Sequence, residues 1–440
     1  MKLERGLKHQ NDAVNSIVRV FEDVSIEKTV NLTENPHIDL NSSNIVSNIK
    51  KIQENNNIPK EIKNNIGITD GYLNIDIKME TGTGKTFTQI KTIYELNEKY
   101  GFNKFIIVVP TLPIKAGTQQ FISSKDTKKF FEDEYNQVEI ELRLVESIQK
   151  KKGRDYFPSV IREFVTSSNL NSKKIQVMLI NSQLITNGKM LTKEYDTTIL
   201  DDLTNPSEAI KSIRPILIID EPHKFGKDNV TFKKIEKVLS PQCIIRFGAT
   251  FPYKKLKNGK KERDYQNLVY NLSSIDAFNN NLVKGVIAEY VPTDTNNNIR
   301  IKLLEVKNRE KCIIQRIEEN TKKSFELAKN DTLSIIHEDF DGVEIMGITK
   351  NSILLSNGIE VFKGTELSPE SYSMSYQDMM IETALERHFE IEQENFKKGI
   401  KTLALFFIDD ISSYRKIDNK PTYILDSFER ILKDKMRRIK

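Results

Sequence analysis

The sequence predicts an α/β protein built on a doubly wound parallel sheet. Three observations carry that prediction. Short, wholly apolar runs alternate with helical segments across residues 71–284, the texture of strands buried on both faces. The first of these runs opens into a glycine-rich turn followed by a helical pattern. A later one ends in two adjacent carboxylates, at the strand end where an open parallel sheet gathers its ligand-contacting groups.

The elements follow in order. In residues 1–30 the apolar Ala13, Val14, Ile17, Val18 and Phe21 recur at three- and four-residue steps, with Gln10 at the start, so a helix is predicted. Residues 31–70 are polar and Asn-rich, with Pro36 and Pro59 as breakers, and are read as a loop-rich excursion holding a short helix near Ile45–Gln53. Strands are predicted at Leu73–Met79, Phe105–Val109, Gln176–Ile180, Ile216–Ile219 and Ile244–Phe247, and a helix at Phe87–Lys99. Residues 254–263 hold five Lys and one Arg around Asn258-Gly259, a basic turn that reads as a hairpin tip. Residues 285–375 change texture: strands are predicted at Val286–Val291 and Ile299–Val306, and Gly342–Gly364 alternates apolar and polar residues around turns at Lys350-Asn351 and Asn357-Gly358. This stretch and the helical residues 377–398 form a linker and β-rich insertion. Thr402–Ile408 then reads as a new buried strand, the opening of a further α/β domain over 399–440.

Composition sets outer limits. A chain of 440 residues holds about three domains, or two with insertions, and needs no disulfide staples. Lys plus Arg number 67 against 62 Asp plus Glu. A net charge of +5 excludes a histone-like polycation and leaves room for a local basic groove. Cys243 and Cys312 form no CxxC pair, and the five histidines show no HxxxH spacing, so no structural metal site is expected. The charged start MKLERGLKHQ is not a signal peptide, and no run approaches ~18 apolar residues. No membrane association and a cytoplasmic location are expected.

The chemistry lies in three motifs. Met79-Glu80-Thr81-Gly82-Thr83-Gly84-Lys85-Thr86 stands between a predicted strand and a predicted helix, the context of a phosphate-binding loop. Its glycines let successive N–H groups approach phosphate oxygens, and the following helix adds its dipole. Lys85 is placed to reach the outer phosphates of ATP and Thr86 to set its hydroxyl on Mg²⁺. Met79 replaces the first glycine of the usual pattern. The second motif is Ile216-Leu217-Ile218-Ile219-Asp220-Glu221-Pro222-His223. Asp220 is expected to hold Mg²⁺ through its water shell, and Glu221 to orient or deprotonate the attacking water. The third is Gly248-Ala249-Thr250, closing another strand.

In this order the motifs resemble the first, RecA-like motor domain of superfamily 2 helicases and translocases. The resemblance implies nucleotide contacts from Gln10, Thr81, Gly82, Thr83, Gly84, Lys85 and Thr86. It implies coupling roles for His223 and Thr250, and DNA contacts from Pro110, Thr111, Asn181 and Gln183. MetGluThrGlyThrGlyLysThr, ValProThrLeuProIle, IleAspGluProHis and the 264–285 stretch narrow it further. Together they resemble the Res subunit of type III restriction–modification enzymes, and residues 401–409 are similar to that family's entry into a second motor domain. The family implies ATP-driven movement on duplex DNA and a methyltransferase (Mod) partner that uses S-adenosylmethionine. It also implies a complete second motor, with arginine fingers, and a nuclease; here the second motor is cut short after its first strand, and Arg437 and Arg438 lie too close to that strand to be the fingers. Asp294 with Glu305-Val306-Lys307 mimics a nuclease triplet, and in a chain that is 29% charged it is read as chance. Two other readings stay open: an inactive ATP-binding remnant, and a superfamily 2 helicase unrelated to restriction.

Overall fold

A computed structural model of the chain describes residues 3–59, 66–68, 71–146, 157–168, 173–198, 203–225, 230–255, 261–285, 299–318, 321–340, 342–356, 359–367, 374–408, 411, 414–415 and 422–439. The chain forms two compact units, Met1–Val286 and Ile287–Lys440.

The first unit is organised by a seven-stranded sheet. Its strands in chain order are β1 (Leu73–Met79), β2 (Lys104–Val109), β3 (Glu139–Leu144), β4 (Lys174–Asn181), β5 (Ile216–Asp220), β6 (Cys243–Gly248) and β7 (Leu268–Leu272). The spatial order is β7-β1-β6-β5-β2-β4-β3, and each neighbouring pair is parallel. All seven carboxyl ends therefore share one edge. This is the RecA-like arrangement that the sequence predicts.

The five predicted strands are the inner ones, and the reason is burial. Phe105, Ile107 and Val109 of β2 face one core cluster, while Ile106 and Val108 face another on the opposite side. Ile216 and Ile218 of β5 divide from Leu217 and Ile219 in the same way. Helices α1 (Lys8–Val18), α2 (Ser43–Asn55), α3 (Lys85–Tyr100), α4 (Leu112–Ser123) and α5 (Lys125–Glu134) contribute to the first cluster. Helices α6 (Ser159–Thr166), α7 (Ser182–Thr186), α8 (Pro206–Ser212) and α9 (Val230–Leu239) contribute to the second. The two sheet-edge strands, β3 and β7, carry weaker signals. GluIleGluLeuArgLeu in β3 mixes charges with apolar residues and is nowhere fully buried, as an edge strand allows. Residues 8–58 are not peripheral: Ala13, Ile17, Phe21, Ile45, Ile49 and Ile52 belong to the first core cluster.

One buried ion pair ties the sheet together. Asp76 of β1 and Arg246 of β6 are register partners, and both side chains are fully buried. Arg246 donates from Nε to Asp76 Oδ1 and from Nη2 to Asp76 Oδ2, each at 2.7 Å. Its Nη2 also donates to the Asp264 carbonyl at 2.9 Å, and Gln266 N donates to Asp76 Oδ2 at 2.6 Å. The segment that leads into β7 is thereby fastened to β1 and β6.

The second unit carries a four-stranded antiparallel sheet, in which Lys311–Glu318 lies between Ile299–Lys307 and Thr321–Ala328, with Glu366–Leu367 on the far edge. A three-stranded sheet of Ile345–Ile348, Ser352–Leu355 and Glu360–Phe362 follows. One core, including Ile301, Cys312, Ile314, Phe340 and Leu355, joins them. Helices Met374–Phe396 and Tyr423–Ile439 follow, and Lys435 Nζ of the second lies 3.0 Å from Glu382 Oε1 of the first. The expected strand at Val286–Val291, the turn at Asn357-Gly358, and Asp294 lie outside the described residues, as do 256–260 of the basic hairpin, whose arms Tyr253–Lys255 and Lys261–Arg263 pair antiparallel.

One expected element is corrected. Thr402–Ile408 forms no strand, and Leu403, Leu405 and Phe407 are 79%, 79% and 91% exposed. A parallel strand is held by hydrogen bonds to its neighbours, and no described strand pairs with this segment. Of the nuclease-like residues, Lys307 pairs within the sheet: its Nζ donates to Glu326 Oε2 at 2.9 Å.

The Asp76–Arg246 pair generates a stability prediction. Replacing either member alone, as in Asp76→Ala or Arg246→Ala, leaves a buried unpaired charge and is expected to cost about 3–5 kcal/mol in urea unfolding. The double replacement Asp76→Leu/Arg246→Met is expected to cost less than the two single losses added together.

Candidate nucleotide and metal site

The site forms at the carboxyl edge of the sheet, where β1, β6 and β5 end side by side. The turn after β1 needs a left-handed backbone twice: Gly82 has φ 86° and Gly84 φ 87°. Gly84 is closed to a side chain as well, since a Cβ there would lie 2.3 Å from Gln10 Nε2. Helix α3 then begins at Lys85, so its free N–H groups open toward the turn.

Several groups brace this loop. Thr83 is almost fully buried and its Oγ1 donates to the Glu80 carbonyl at 2.7 Å. The Thr83 carbonyl accepts from Gln10 Nε2 at 3.3 Å and from His9 Nε2 at 2.9 Å. The Glu80 carboxylate accepts from the Thr81 N–H at 2.7 Å and from the Ser274 hydroxyl, and the Ser274 bond holds Glu80 below the usual carboxylate range. Ser274 opens the short helix α10 (Ser274–Asn279) after β7. His9 and Ser274, and the bracing role of Glu80, escape a motif-based reading because they are set by packing between segments distant in sequence.

The acidic pair faces the loop. Lys85 Nζ lies 3.9 Å from Glu221 Oε1. His223 Nδ1 lies 3.2 Å from Glu221 Oε2, so both carboxylate oxygens of Glu221 have a nitrogen neighbour. Glu221 holds a left-handed backbone, φ 53° and ψ 60°, immediately before Pro222, a costly conformation of the kind concentrated at functional sites. Two contacts hold it there. The Glu221 N–H donates to the Phe247 carbonyl at 3.0 Å. Pro222 fills the space over Gly248, where a Cβ would lie 2.5 Å from Pro222 Cδ. The second and third motifs therefore touch through Gly248 and Pro222, a link that a sequence scan does not reveal.

Asp220 is only 7% exposed. Burial, and then the neighbouring Glu221 charge, push its carboxyl up to about 6, against the pull of Lys85 and of Gln89, whose Nε2 donates to Asp220 Oδ1 at 2.9 Å. Two vicinal carboxylates have the donor set for a hard divalent cation and its waters. A cleft of about 590 Å³ lies over them, lined by Gln10, Gly82, Gly84, Lys85, Thr86, Asp220 and Glu221. Leu3, Leu7, Ile114 and Phe121 give it an apolar wall. The polar end has the donors for a polyphosphate with its metal, and the apolar wall has room for a base.

The expected DNA-contacting residues divide. Thr111 and Gln183 are exposed at the ends of β2 and β4, whereas Pro110 is buried. Asn181 is 2% exposed, and its Oδ1 accepts from the Gln183 N–H at 2.8 Å, capping α7. Thr250 is exposed just beyond β6.

A family model described as "Type III restriction enzyme, res subunit" matches residues 7–253. The chain belongs to this family. It is 41% identical over 423 residues to the type III restriction-modification enzyme EcoP15I Res subunit of Escherichia coli, covering 94% of this chain and 42% of that relative. It is 39% identical over 437 residues to the EcoPI Res subunit of Escherichia phage P1, covering 97% and 43%. The chain thus spans about two fifths of the length of these curated relatives. A solved nuclease-deletion mutant of the type ISP restriction-modification enzyme LlaGI, in complex with a DNA substrate mimic, matches over 63% of this chain and 21% of its own, at 12% identity and a TM-score of 0.32. Family membership sets aside the reading of a helicase unrelated to restriction.

Asp220 generates a pH prediction. Its folded value, about 6, lies above its ordinary 3.8. The folded chain therefore binds the extra proton between those values, and the stability this contributes is present at low pH and lost as pH rises through about 6. At pH 7 the ionised carboxylate is a standing cost on the order of 2–3 kcal/mol. Asp220→Asn is expected to raise the thermal midpoint of the ligand-free chain at pH 7 and to flatten the stability slope across that window. An unchanged slope would sink this assignment.

Proposed function

We propose that the first unit is the ATP-binding motor domain of a type III restriction subunit, using ATP with Mg²⁺ to move on duplex DNA in complex with a methyltransferase partner. The observation that carries the reading is the meeting of Lys85, Asp220 and Glu221 under one cleft that also contains Gln10. Family membership supports the restriction context.

Each residue has a physical task. The backbone N–H groups of Gly82, Gly84 and Lys85 and the Lys85 ammonium bind the outer phosphates. Thr86 and Asp220 hold the metal, Asp220 through water. When bound, Mg²⁺ supplies charge neutralisation on the outer phosphate oxygens. Glu221 takes the proton of the attacking water at the oxygen nearest Lys85. His223, at the other oxygen, reports that carboxylate's charge to whatever contacts it, and Gly248 and Pro222 carry the change toward Thr250. Gln10 reads the base, and the exposed Thr111 and Gln183 meet the DNA backbone. Pro110 and Asn181 serve by shaping those turns, because their side chains are buried.

Residues 399–440 are read as the start of a second RecA-like domain, a reading supported by the apolar composition and high exposure of Thr402–Ile408. Mod binding and a cytoplasmic setting follow from the restriction role.

The test is nucleotide binding by the 440-residue chain, read with a fluorescent ATP analogue. Lys85→Ala is expected to lower affinity by at least ~100-fold, through loss of a charge-assisted contact worth about 3 kcal/mol. Equal binding by the variant and the parent would overturn the phosphate-loop reading. Gln10→Ala is expected to reduce the preference for ATP over GTP by roughly tenfold, the size of one neutral hydrogen bond left unmade.

A further inference from the structure

The mechanism above makes no use of Gln89, although its side chain is fastened directly to the acidic pair. It lies on α3, one turn beyond Lys85, and is fully buried. Its Nε2 donates to Asp220 Oδ1 at 2.9 Å across 131 residues of sequence. Its Oε1 is buried and, among the described residues, has no hydrogen-bond partner. The neighbouring polar residues of the helix differ: Thr88 Oγ1 donates to the Gly84 carbonyl at 3.2 Å and Thr92 Oγ1 to the Thr88 carbonyl at 2.8 Å. Those hydroxyls are satisfied within α3 itself. Gln89 instead spends its amide on another strand and leaves a buried acceptor unfilled. An unmade bond of this kind is costly, and an apolar side chain of similar size would avoid the cost.

The chemistry of a hydrated cation supplies what is missing. Water bound to a divalent cation turns its hydrogens outward and needs acceptors around it. Asp220 has one carboxylate oxygen, beyond the one held by Gln89, to offer such a water. A fixed partner on the back of a ligating carboxylate also sets which oxygen faces the metal.

We infer that Gln89 is a positioning residue for the metal: it pins Asp220 Oδ1, commits the other oxygen to the water shell of Mg²⁺, and so sets how much Mg²⁺ nucleotide binding requires. This rests on the nucleotide-site reading above and adds a residue that the three motifs do not contain. Gln89 touches neither phosphate nor reacting atoms in this assignment; it acts through Asp220.

The experiment separates metal dependence from nucleotide affinity. Binding of a fluorescent ATP analogue to the 440-residue chain is titrated with MgCl₂, and again in EDTA. The variants are Gln89→Met, unbranched and of similar length, and Gln89→Asn, which keeps the amide but draws it back by one methylene. Both are expected to raise the Mg²⁺ concentration for half-maximal enhancement about tenfold or more, while binding in EDTA stays within about twofold of the parent. Thermal melts confirm that each variant is folded. If the Mg²⁺ midpoint does not move in the folded Asn variant, the inference is wrong although the site stands. If binding in EDTA falls in step with binding in Mg²⁺, Gln89 is a packing residue and the inference again fails. If the parent chain shows no Mg²⁺-dependent binding at all, the nucleotide-site reading itself falls and takes this inference with it.

Discussion

Parallel pairing of β1, β6 and β5 is the constraint on which the rest depends. Parallel neighbours run in one direction, so Met79, Gly248 and Asp220 must arrive at the same edge. Neighbouring strands lie about 4.8 Å apart, which sets the ends of β1 and β5 roughly 10 Å from each other. That gap is within the combined reach of a lysine and a carboxylate side chain, and Lys85 and Glu221 close it to 3.9 Å. The Asp76–Arg246 pair locks the register of two of these three strands well below the edge. A one-residue slip there would break both hydrogen bonds and displace the glycine-rich turn with them.

The site holds more negative charge than an empty cleft favours. Asp220 sits in a nearly dry position beside a second carboxylate, and its raised pKa is the measure of that conflict. Glu221 adds a left-handed backbone before a proline. Neither feature stabilises the fold; a divalent cation would offset the like charge at Asp220, while the Glu221 backbone is held by its own contacts. Strain and like charge held in place by a rigid sheet are the mark of a site organised around a ligand. The bracing groups fit this view: His9, Gln10, Glu80 and Ser274 hold the loop's backbone from outside and leave Lys85 and Thr86 to line the cleft.

The second unit follows different physics. Its antiparallel strands alternate inward and outward residues around one core, and charges such as Lys307 and Glu326 pair on the surface. Among the described residues no group of histidines, cysteines or carboxylates there is arranged to hold a metal.

The sequence by itself determined the inner sheet, the glycine-rich turn after β1 and the acidic pair. Each is encoded locally: a strand buried on both faces must be apolar throughout, a left-handed turn against a helix start needs glycine, and a carboxylate at a strand end needs only to follow the strand. The edge strands β3 and β7 were not legible: β3 is half-exposed and has no reason to be uniformly apolar, and β7, though mostly buried, is only five residues long and interrupted by Asn271. Thr402–Ile408 misled for the complementary reason: its composition suits a buried strand, but pairing depends on neighbours that composition cannot supply. Asn181 likewise reads as an available polar group until folding spends its oxygen on capping α7. Only the tertiary structure could decide that Gln89 reaches Asp220, that Pro222 fills the space over Gly248, and that His9 and Gln10 share one carbonyl. These contacts join residues up to 131 positions apart, and no local pattern records which distant side chain the sheet will bring within 3 Å.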